Sequence, residues 1–206
     1  MESIVVATGN PHKVKELTPL LAPLARKFHL QTDFFKDEAI EDGATYLENA
    51  LKKARHASQR TGLPAIADDS GLSVDYLKGE PGIYSARYAA KCGSVKPTEA
   101  ENRKMVLKAM EGVDWSQRQA HYYCAIVLVR FPEDPAPIIG FGRWDGEILM
   151  EERTDYGIGY DSIFWDRDRF RAASQIDLDV KNEISARAQA AKSVVEQWLA
   201  EKARNS

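Results

Sequence analysis

Apolar residues recur along the 206-residue chain at two spacings, one typical of strands and one typical of helices. Ile4–Ala7 is a short apolar run bounded by turn residues, which predicts a buried strand. Helical spacing follows over residues 11–25, where Pro19 is expected to kink or stop the helix near Leu17. Residues 28–34 are a candidate for a second, short strand.

Three further helices are indicated by capping residues and apolar stripes. Thr45 and Glu48 have the spacing of a capping box, and the helix that they begin should end at Gly62. The spacing also predicts a helix over Thr98–Met110 and a last helix over about residues 181–203.

Strand patterns lie between these helices. Residues 63–77 are predicted to form a hairpin that turns at Asp68–Gly71, and Ala120–Phe131 is the best candidate for a central strand. Residues 138–150 are expected to form another hairpin around Trp144–Gly146. Helices and strands mix without strict alternation, which predicts an α/β or α+β domain with a mixed sheet. No repeat or linker divides the chain, so residues 1–206 are interpreted as a single domain.

Composition and charge narrow the class of protein. Hydrophobic residues make up 44% of the chain and charged residues 29%, as in ordinary globular proteins. A net charge of −3 argues against binding to a nucleic acid polymer or to a membrane surface. No apolar run is long enough to span a membrane, and neither Cys92 nor Cys124 suggests a disulfide framework. We therefore expect a cytoplasmic protein.

The segment after the first strand has the features of a phosphate site. Thr8–Pro11 is a tight turn in which Asn10 is a good N-cap and Pro11 suits the first helical position. Lys13 and Lys15 follow in the first turn, where a cation is unfavourable unless an anion is bound there. A helix N-terminus with a nearby lysine favours phosphate. The alternative is an ordinary turn with surface lysines.

Adjacent carboxylates form the second signal. Asp68 and Asp69 follow an apolar strand, and carboxylates in such a place suit Mg²⁺ together with phosphate oxygens and water. Crowded like charges also raise one pKa, which favours a general base. Asp is, however, a common turn residue. Glu41 is a possible third metal ligand, and Lys52 and Lys53 lie in mid-helix, where a solvated face is the usual role.

The third signal is glycine-rich. Thr154–Asp161 interleaves glycines with aromatic residues, which would let backbone approach a planar ligand. The alternative is a glycine-rich hairpin loop. Lys181 and Arg187 flank the start of the last helix and would both reach a ligand bound there. The histidine and cysteine spacing does not suggest zinc, and no Walker A or Gly-x-Ser-x-Gly pattern is present.

Taken together, the motifs resemble those of the inosine triphosphate pyrophosphatase family, house-cleaning enzymes that act on non-standard purine nucleoside triphosphates. The resemblance runs nearly end to end, and its order and spacing are specific. It is carried by Thr8–Lys13, Glu41–Ala50, Lys53–Ala54, Ala67–Leu72, Pro81–Tyr88 and Gly157–Asp161.

The resemblance implies a fold and an activity. The fold would be α/β, an elongated mixed β-sheet with flanking helices and two lobes around a central substrate cleft. The protein would be a homodimer that uses Mg²⁺ to hydrolyse ITP, dITP and XTP to the nucleoside monophosphate and pyrophosphate.

The resemblance also implies residue roles. Asp69 would accept a proton from the attacking water, and the metal would be held by Glu41 with Asp68 or Asp69. The remaining substrate contacts would come from Thr8, Gly9, Asn10, Pro11, His12, Lys13, Lys53 and Ser70. The base would be framed by Ile158, Gly159, Tyr160, Asp161, Lys181, Ala186 and Arg187.

Three positions depart from the family pattern. Ile158 stands where the family has an aromatic residue, Ser162 replaces a proline, and Ala186 replaces a histidine. These changes fall on the base side, so one alternative is the same chemistry with a shifted or relaxed base preference. Another is a nucleotide-binding module without catalysis, against which the retained carboxylates and Lys13 argue.

Overall fold

The computed structural model describes residues 1–93, 95–154 and 158–204, with the side chains of Pro11 and His12 outside the description. The strands are β1 (Ser3–Val6), β2 (Lys27–Leu30), β3 (Ala65–Val74), β4 (Gln119–Val129), β5 (Ile138–Ile148), β6 (Phe164–Asp166) and β7 (Arg171–Ala172). The α-helices are α1 (Pro11–Leu21), α2 (Tyr46–Thr61), α3 (Glu99–Ala109), α4 (Leu178–Ile184) and α5 (Ala186–Arg204). Several 3₁₀ segments lie between them, including Gly82–Cys92.

The strands form one seven-stranded sheet in the order β2-β1-β3-β4-β5-β6-β7. β1 runs parallel to β2, with Ile4 opposite Phe28, and parallel to β3, with Val6 opposite Ile66. β6 runs antiparallel to both β5 and β7. The predicted mixed sheet with flanking helices is therefore confirmed. Within the described part of the chain, no helix has the length and apolar character to cross a membrane.

The chain divides into two compact units. The first comprises residues 1–69, 124–142 and 182–206, and the second comprises residues 70–123 and 143–181.

In the first unit, α2 packs on the sheet through small residues. Thr45 caps the helix, its side chain accepting from the Glu48 N–H, and Gly62 ends it in the left-handed conformation, as the sequence predicts. A core is formed by buried residues of α2 together with the strands: Val5, Ala7, Ala50, Ala54, Ala57, Ala65, Ala67, Val127 and Val129. Alanines on the helix let its backbone approach the sheet closely, which brings short polar side chains at its N-terminal end within reach of β3.

Also in the first unit, α5 approaches β5 at two glycines. A Cβ on Gly142 would lie 1.9 Å from the Ala186 carbonyl oxygen, and one on Gly140 would lie 2.2 Å from the Ala190 carbonyl oxygen. Only glycine permits this approach. The contact fixes where the first turn of α5 lies, and with it the side chain of Arg187.

The second unit contains an aromatic cluster of Tyr122, Trp144 and Phe164. The Tyr122 ring lies 4.7 Å from the Phe164 ring and 6.0 Å from the Trp144 ring, centroid to centroid. The Trp144 indole N–H donates to Asp166 over 3.0 Å. This buried hydrogen bond orients the cluster.

Two predicted hairpins are wrong, because in both places one strand continues. β3 runs straight through Asp68–Gly71 with both carboxylates buried. Pairing of an interior strand outweighs local turn preference there. β5 likewise continues through Trp144–Gly146. A Cβ on Gly146 would lie 2.4 Å from the Trp165 carbonyl oxygen, so this glycine serves a close approach and not a turn.

Other boundaries also differ from the sequence predictions. α1 does not stop at Pro19 but continues to Leu21, held by buried apolar side chains. The predicted last helix is two helices, α4 and α5, that separate at Ser185. The second strand is shorter than expected and is followed by a 3₁₀ turn. The short strands β6 and β7 have no clear apolar alternation, and the sequence analysis missed them.

Candidate active site

The two adjacent carboxylates of β3 lie on opposite faces of the sheet. Successive side chains of a strand point to opposite sides. Asp68 meets Lys13 of α1 and Arg187 of α5, whereas Asp69 meets Asn49 and Lys53 of α2. The strand therefore gives each carboxylate its own set of partners.

Asp68 is buried between two cations. The Lys13 ammonium lies 2.9 Å from Asp68 Oδ2, and the Arg187 guanidinium donates to the same oxygen through two nitrogens, each at 3.3 Å. Only 1% of the Asp68 side chain is exposed. Burial alone would raise the pKa of this carboxyl, but the positive charges of Lys13, Arg187 and Lys53 outweigh it and hold the pKa well below its ordinary value. Asp68 is therefore a permanent anion at neutral pH.

Arg187 extends this network to a second carboxylate. Its guanidinium also forms an ion pair with Glu16, which lies one turn after Lys13 on α1. Burial would lower the pKa of Arg187, but Asp68 and Glu16 help to raise it. Burial and the nearby Asp68 raise the pKa of the Cys124 thiol to about 12, so this cysteine remains protonated. The sequence analysis missed Glu16, although its spacing from Lys13 on one helix face was visible.

On the other face, Asp69 is held by α2. The Asn49 amide nitrogen donates to Asp69 Oδ2 over 3.2 Å, and the Lys53 ammonium donates to Oδ1 over 3.4 Å. Burial raises the pKa of Asp69, the nearby Lys53 and Lys13 lower it, and Glu41 and Asp68 raise it further. The net pKa lies above the ordinary value, which makes this carboxylate the stronger proton acceptor of the two.

Lys53 joins Asp69 to Glu41. Its ammonium lies 2.9 Å from Glu41 Oε1. Burial would lower the pKa of Lys53, but Asp68, Asp69 and Glu41 together raise it. Lys53 is thus a buried cation shared by carboxylates and not part of the solvated face that isolated mid-helix lysines usually form.

The segment before α2 reaches this group through Gly43. The Gly43 N–H donates to Asn49 Oδ1 over 2.8 Å. A Cβ on Gly43 would lie 2.7 Å from both Asn49 Oδ1 and the Glu48 Cβ, so a larger residue would push the segment away. Asn49 was missed as a site residue in the sequence analysis, although its i, i+4 spacing from Lys53 was available as a signal.

The predicted phosphate turn leads directly into α1. The Asn10 N–H donates to Thr8 Oγ1 over 3.1 Å, and the Asn10 carbonyl accepts from Val14 over 3.2 Å. Gly9 lies beside Glu38: a Cβ placed on Gly9 would be 3.2 Å from Glu38 Oε1. The predicted roles of the Pro11 and His12 side chains lie outside the described part of the chain.

The second unit holds the other predicted residues. Asp161 is buried, accepting from the Tyr122 hydroxyl over 3.0 Å and pairing with Lys181. Ile158 is 37% exposed, and the Tyr160 hydroxyl donates to the Ser85 carbonyl over 2.7 Å.

Backbone contacts hold the glycine of this segment. The Gly159 N–H donates to Glu99 and its carbonyl accepts from Arg103, both over 2.9 Å. Asp155–Gly157 lie outside the described residues.

Three predicted residues have informative surroundings. Arg187, expected at the base, contacts Asp68 and Glu16. Ala186 is buried, with its carbonyl facing the Gly142 position. Ser70 is the first residue of the second unit and is half-buried in β3.

The oxygen ligands present at this site determine whether it could bind the predicted Mg²⁺. Among the residues that the structure describes, no three acidic, histidine or cysteine side chains are grouped closely enough to bind a metal ion on their own. Mg²⁺, however, commonly takes only one or two carboxylates and fills its other positions with water and substrate phosphates. Glu41 and Asp69 both lie against the Lys53 ammonium, so two hard oxygen donors converge on one cation position. The residues therefore fit Mg²⁺ that binds together with a phosphate ligand.

Comparison with known proteins gives consistent matches over nearly the whole chain. The Ham1 family model matches residues 4–197. A dITP/XTP pyrophosphatase from Vibrio parahaemolyticus is 46% identical over 203 residues, which cover 98% of this chain and 100% of that protein. A dITP/XTP pyrophosphatase from Xanthomonas oryzae is 48% identical over 188 residues, covering 91% of this chain and 92% of that protein.

Solved structures agree with the sequence matches. A HAM1 protein from Coxiella burnetii matches with a TM-score of 0.84 and 42% identity over 100% of both chains. A nucleoside-triphosphatase / dITP/XTP pyrophosphatase from Mycobacterium abscessus matches with a TM-score of 0.71 and 32% identity over 98% of both chains. The family resemblance inferred from the motifs is thereby confirmed.

Proposed function

Because this chain belongs to the Ham1 family, we propose that it hydrolyses non-standard purine nucleoside triphosphates, ITP, dITP and XTP, to the nucleoside monophosphate and pyrophosphate. Relatives that are 46–48% identical carry the name dITP/XTP pyrophosphatase. Such an enzyme removes these nucleotides from the precursor pool.

The observation that carries the proposal is the environment of Asp69. Residue Asp69 is only 8% exposed, its carboxyl has a raised pKa, and Asn49 and Lys53 hold it in place. A fixed carboxylate with a raised pKa is suited to general base catalysis. It would take a proton from water as the water oxygen bonds to the α-phosphorus. The bond from that phosphorus to the bridging oxygen breaks, and pyrophosphate leaves with the electron pair.

Cations around Asp68 and Asp69 supply the anion binding. Lys13 lies in the first turn of α1, where the N-terminal N–H groups also favour phosphate. Lys53 supplies a second ammonium, whose side chain is 14% exposed. We propose that these groups hold the triphosphate with Thr8, Gly9, Asn10, Pro11, His12 and Ser70. We further propose that the base is framed by Ile158, Gly159, Tyr160, Asp161, Lys181, Ala186 and Arg187.

Mg²⁺ is the proposed cofactor, and Glu41 and Asp69, with Asp68 nearby, are the residues that would hold it. When bound, it neutralises developing phosphate charge and favours ionisation of water. The resemblance further supports a homodimer in the cytoplasm as part of this proposal.

The proposal is tested with Asp69→Asn, which keeps the shape of the side chain and removes its charge. Purified wild type should release pyrophosphate from ITP, dITP and XTP when Mg²⁺ is supplied. Asp69→Asn should lose a factor of about 10² or more in kcat, as expected when a general base is removed. Circular dichroism should show that the variant is folded.

Asp145→Asn is the matched control, since Asp145 is exposed and forms an ion pair with the exposed Arg143. It should keep wild-type turnover. Asp69→Asn activity within tenfold of wild type would refute the assignment of the base. A wild-type protein that binds ITP but releases no pyrophosphate would instead indicate a nucleotide-binding module.

A further inference from the structure

We propose that Tyr122 is a positioning residue for base recognition, holding the Asp161 carboxylate so that Asp161 and Lys181 present a fixed polar pair to the purine. The inference rests on the proposed function, because the base-binding role of that pair is part of it. Tyr122 takes no part in the proposed proton transfer or in phosphate binding.

Geometry ties Tyr122 to this pair. The Tyr122 hydroxyl donates to Asp161 Oδ1 over 3.0 Å, while Lys181 donates to Oδ2. Each carboxylate oxygen therefore has its own donor. The Asp161 side chain is 9% exposed and the Lys181 side chain 16% exposed, so solvent contributes little to their orientation.

The ring of Tyr122 is itself held firmly. It packs against Phe164 at 4.7 Å and stacks on Trp144 at 6.0 Å between ring centroids. Trp144 is in turn fixed by its hydrogen bond to the buried Asp166. The tyrosine hydroxyl is thus the end of a rigid aromatic support, and it points at a buried carboxylate.

In the hydrogen bond between Tyr122 and Asp161, the tyrosine hydroxyl is always the donor. Burial and the negative charge of Asp161 raise the pKa of Tyr122 well above its ordinary value, so the proton stays on the tyrosine. A carboxylate accepts only, and a buried one with a lost donor must rotate or draw in another partner. Phenylalanine would fill the same space among the aromatic rings. The hydroxyl is therefore what this position adds beyond packing.

The orientation of Asp161 and Lys181 determines how well the site recognises a base. A site discriminates among bases when its buried polar groups are held where the correct base can satisfy them. If the hydrogen bond from Tyr122 is lost, the Asp161 carboxylate is no longer held in one orientation. The Lys181 ammonium that pairs with it then also adopts several orientations. Binding of the base then weakens equally in the ground state and in the transition state, which changes KM and not kcat.

The test is Tyr122→Phe, assayed by pyrophosphate release and by product inhibition. We expect KM for ITP to rise about threefold to tenfold, with kcat within about twofold of wild type, as for loss of uniform binding. The inhibition constant for IMP should rise by the same factor as KM. The inhibition constant for pyrophosphate, which has no base, should stay at its wild-type value.

Tyr76→Phe is the matched control, because it removes the hydroxyl of an exposed tyrosine in the same unit. It should leave every constant unchanged. A double-mutant cycle adds a second check: in an Asp161→Asn background, Tyr122→Phe should have little further effect on IMP binding. Thermal melting should show that Tyr122→Phe is folded; an unfolded variant would overturn the proposal, because the hydroxyl would then act in folding and not in base recognition.

Several outcomes would overturn the proposal. Unchanged IMP inhibition in Tyr122→Phe would show that the hydroxyl does not matter to the base. A parallel rise in the pyrophosphate constant, or a fall in kcat alone, would indicate general damage to the fold. Failure of the proposed function is separate, since the wild-type protein would then release no pyrophosphate from any purine nucleoside triphosphate.

Discussion

Removing the charge of Asp68 should destabilise the protein strongly even in the absence of nucleotide. Asp68→Asn would leave the Lys13 ammonium and the Arg187 guanidinium, which lie 2.9 Å and 3.3 Å from Asp68 Oδ2, without their shared anion. Both cations are themselves about four-fifths buried, at 21% and 19% side-chain exposure. Glu16 already pairs with Arg187 and would remain as its anion.

The expected magnitude follows from this burial. At an effective dielectric constant of about 20, unit charges separated by the Lys13–Asp68 distance attract with roughly 6 kcal/mol, and desolvation offsets much of that attraction. Removing one partner of a buried ion pair costs about 3–5 kcal/mol, because the remaining charge is left uncompensated. We expect Asp68→Asn to lower the free energy of unfolding by about that amount at pH 7.

Urea denaturation of the nucleotide-free protein measures this difference. Asp42→Asn is the matched control, because Asp42 also pairs with a lysine, Lys52, but is exposed. It should leave the free energy of unfolding unchanged. An Asp68→Asn variant as stable as the Asp42→Asn variant would show that the buried network does not hold the first unit together.

The pH dependence supplies an independent check with a fixed sign. The pKa of Asp68 is depressed in the folded protein, so the unfolded chain binds a proton there first. The stabilisation from Asp68 is complete above the unfolded pKa of about 4 and is lost as the pH falls below it. Wild type should lose stability on acidification more steeply than Asp68→Asn. Equal slopes would contradict the depressed pKa.

Two further predictions concern the metal and the base. Lys53→Met removes the ammonium that lies against both Glu41 and Asp69, so Mg²⁺ should bind the nucleotide-free variant more tightly than it binds wild type. Lys52→Met, which removes a lysine paired with the exposed Asp42, is the control and should bind Mg²⁺ as wild type does. Equal Mg²⁺ affinities of all three proteins in a calorimetric titration would refute this prediction. Ile158 is 37% exposed and lacks a π-face, so Ile158→Phe should strengthen the binding of purine triphosphates, measured as a lower KM, by up to the ~1–3 kcal/mol that base stacking contributes. Because stacking does not distinguish one purine from another, the ITP-to-GTP ratio of kcat/KM should rise in Ile158→Phe/Ala186→His, and an unmoved ratio in this double variant would exclude a role of the two positions in base selection.

The sequence was sufficient to predict those elements that are stabilised by contacts between residues close together in the chain. The capping box at Thr45, the alanine stripe of α2 and its end at Gly62 involve residues within one helix. The same holds for the turn from Thr8 into α1, where the Asn10 N–H donates to Thr8 and the Asn10 carbonyl accepts from Val14, two and four positions away. These elements could be predicted because their stabilising contacts are visible in a short stretch of chain.

The wrong predictions concern parts of the structure that depend on contacts between residues far apart in the sequence. The turn expected at Asp68–Gly71 and the hairpin expected at Gly146 both depend on strand neighbours that lie far away in sequence. The base contact expected of Arg187 from the family resemblance stays a prediction, but its ion-pair partners could not be foreseen from the sequence. Those partners, Asp68 and Glu16, are 119 and 171 positions away, and the close approach of α5 to Gly142 brings Arg187 to them.

The error at Asp68 and Asp69 also explains why two adjacent, chemically identical residues can serve different purposes. In a turn, both carboxylates would share one solvated environment, and their mutual repulsion would be the main influence on either pKa. In a strand they face opposite sides of the sheet, so their direct contacts come from different helices, α1 and α5 for Asp68 and α2 for Asp69. Lys13 and Arg187 lower the pKa of Asp68, while burial raises the pKa of Asp69. When neighbouring environments separate the pKa values of two carboxyls, one remains a fixed anion and the other is available to accept a proton. The continuous strand is therefore a requirement of the proposed chemistry, because it divides anion and base between two consecutive residues.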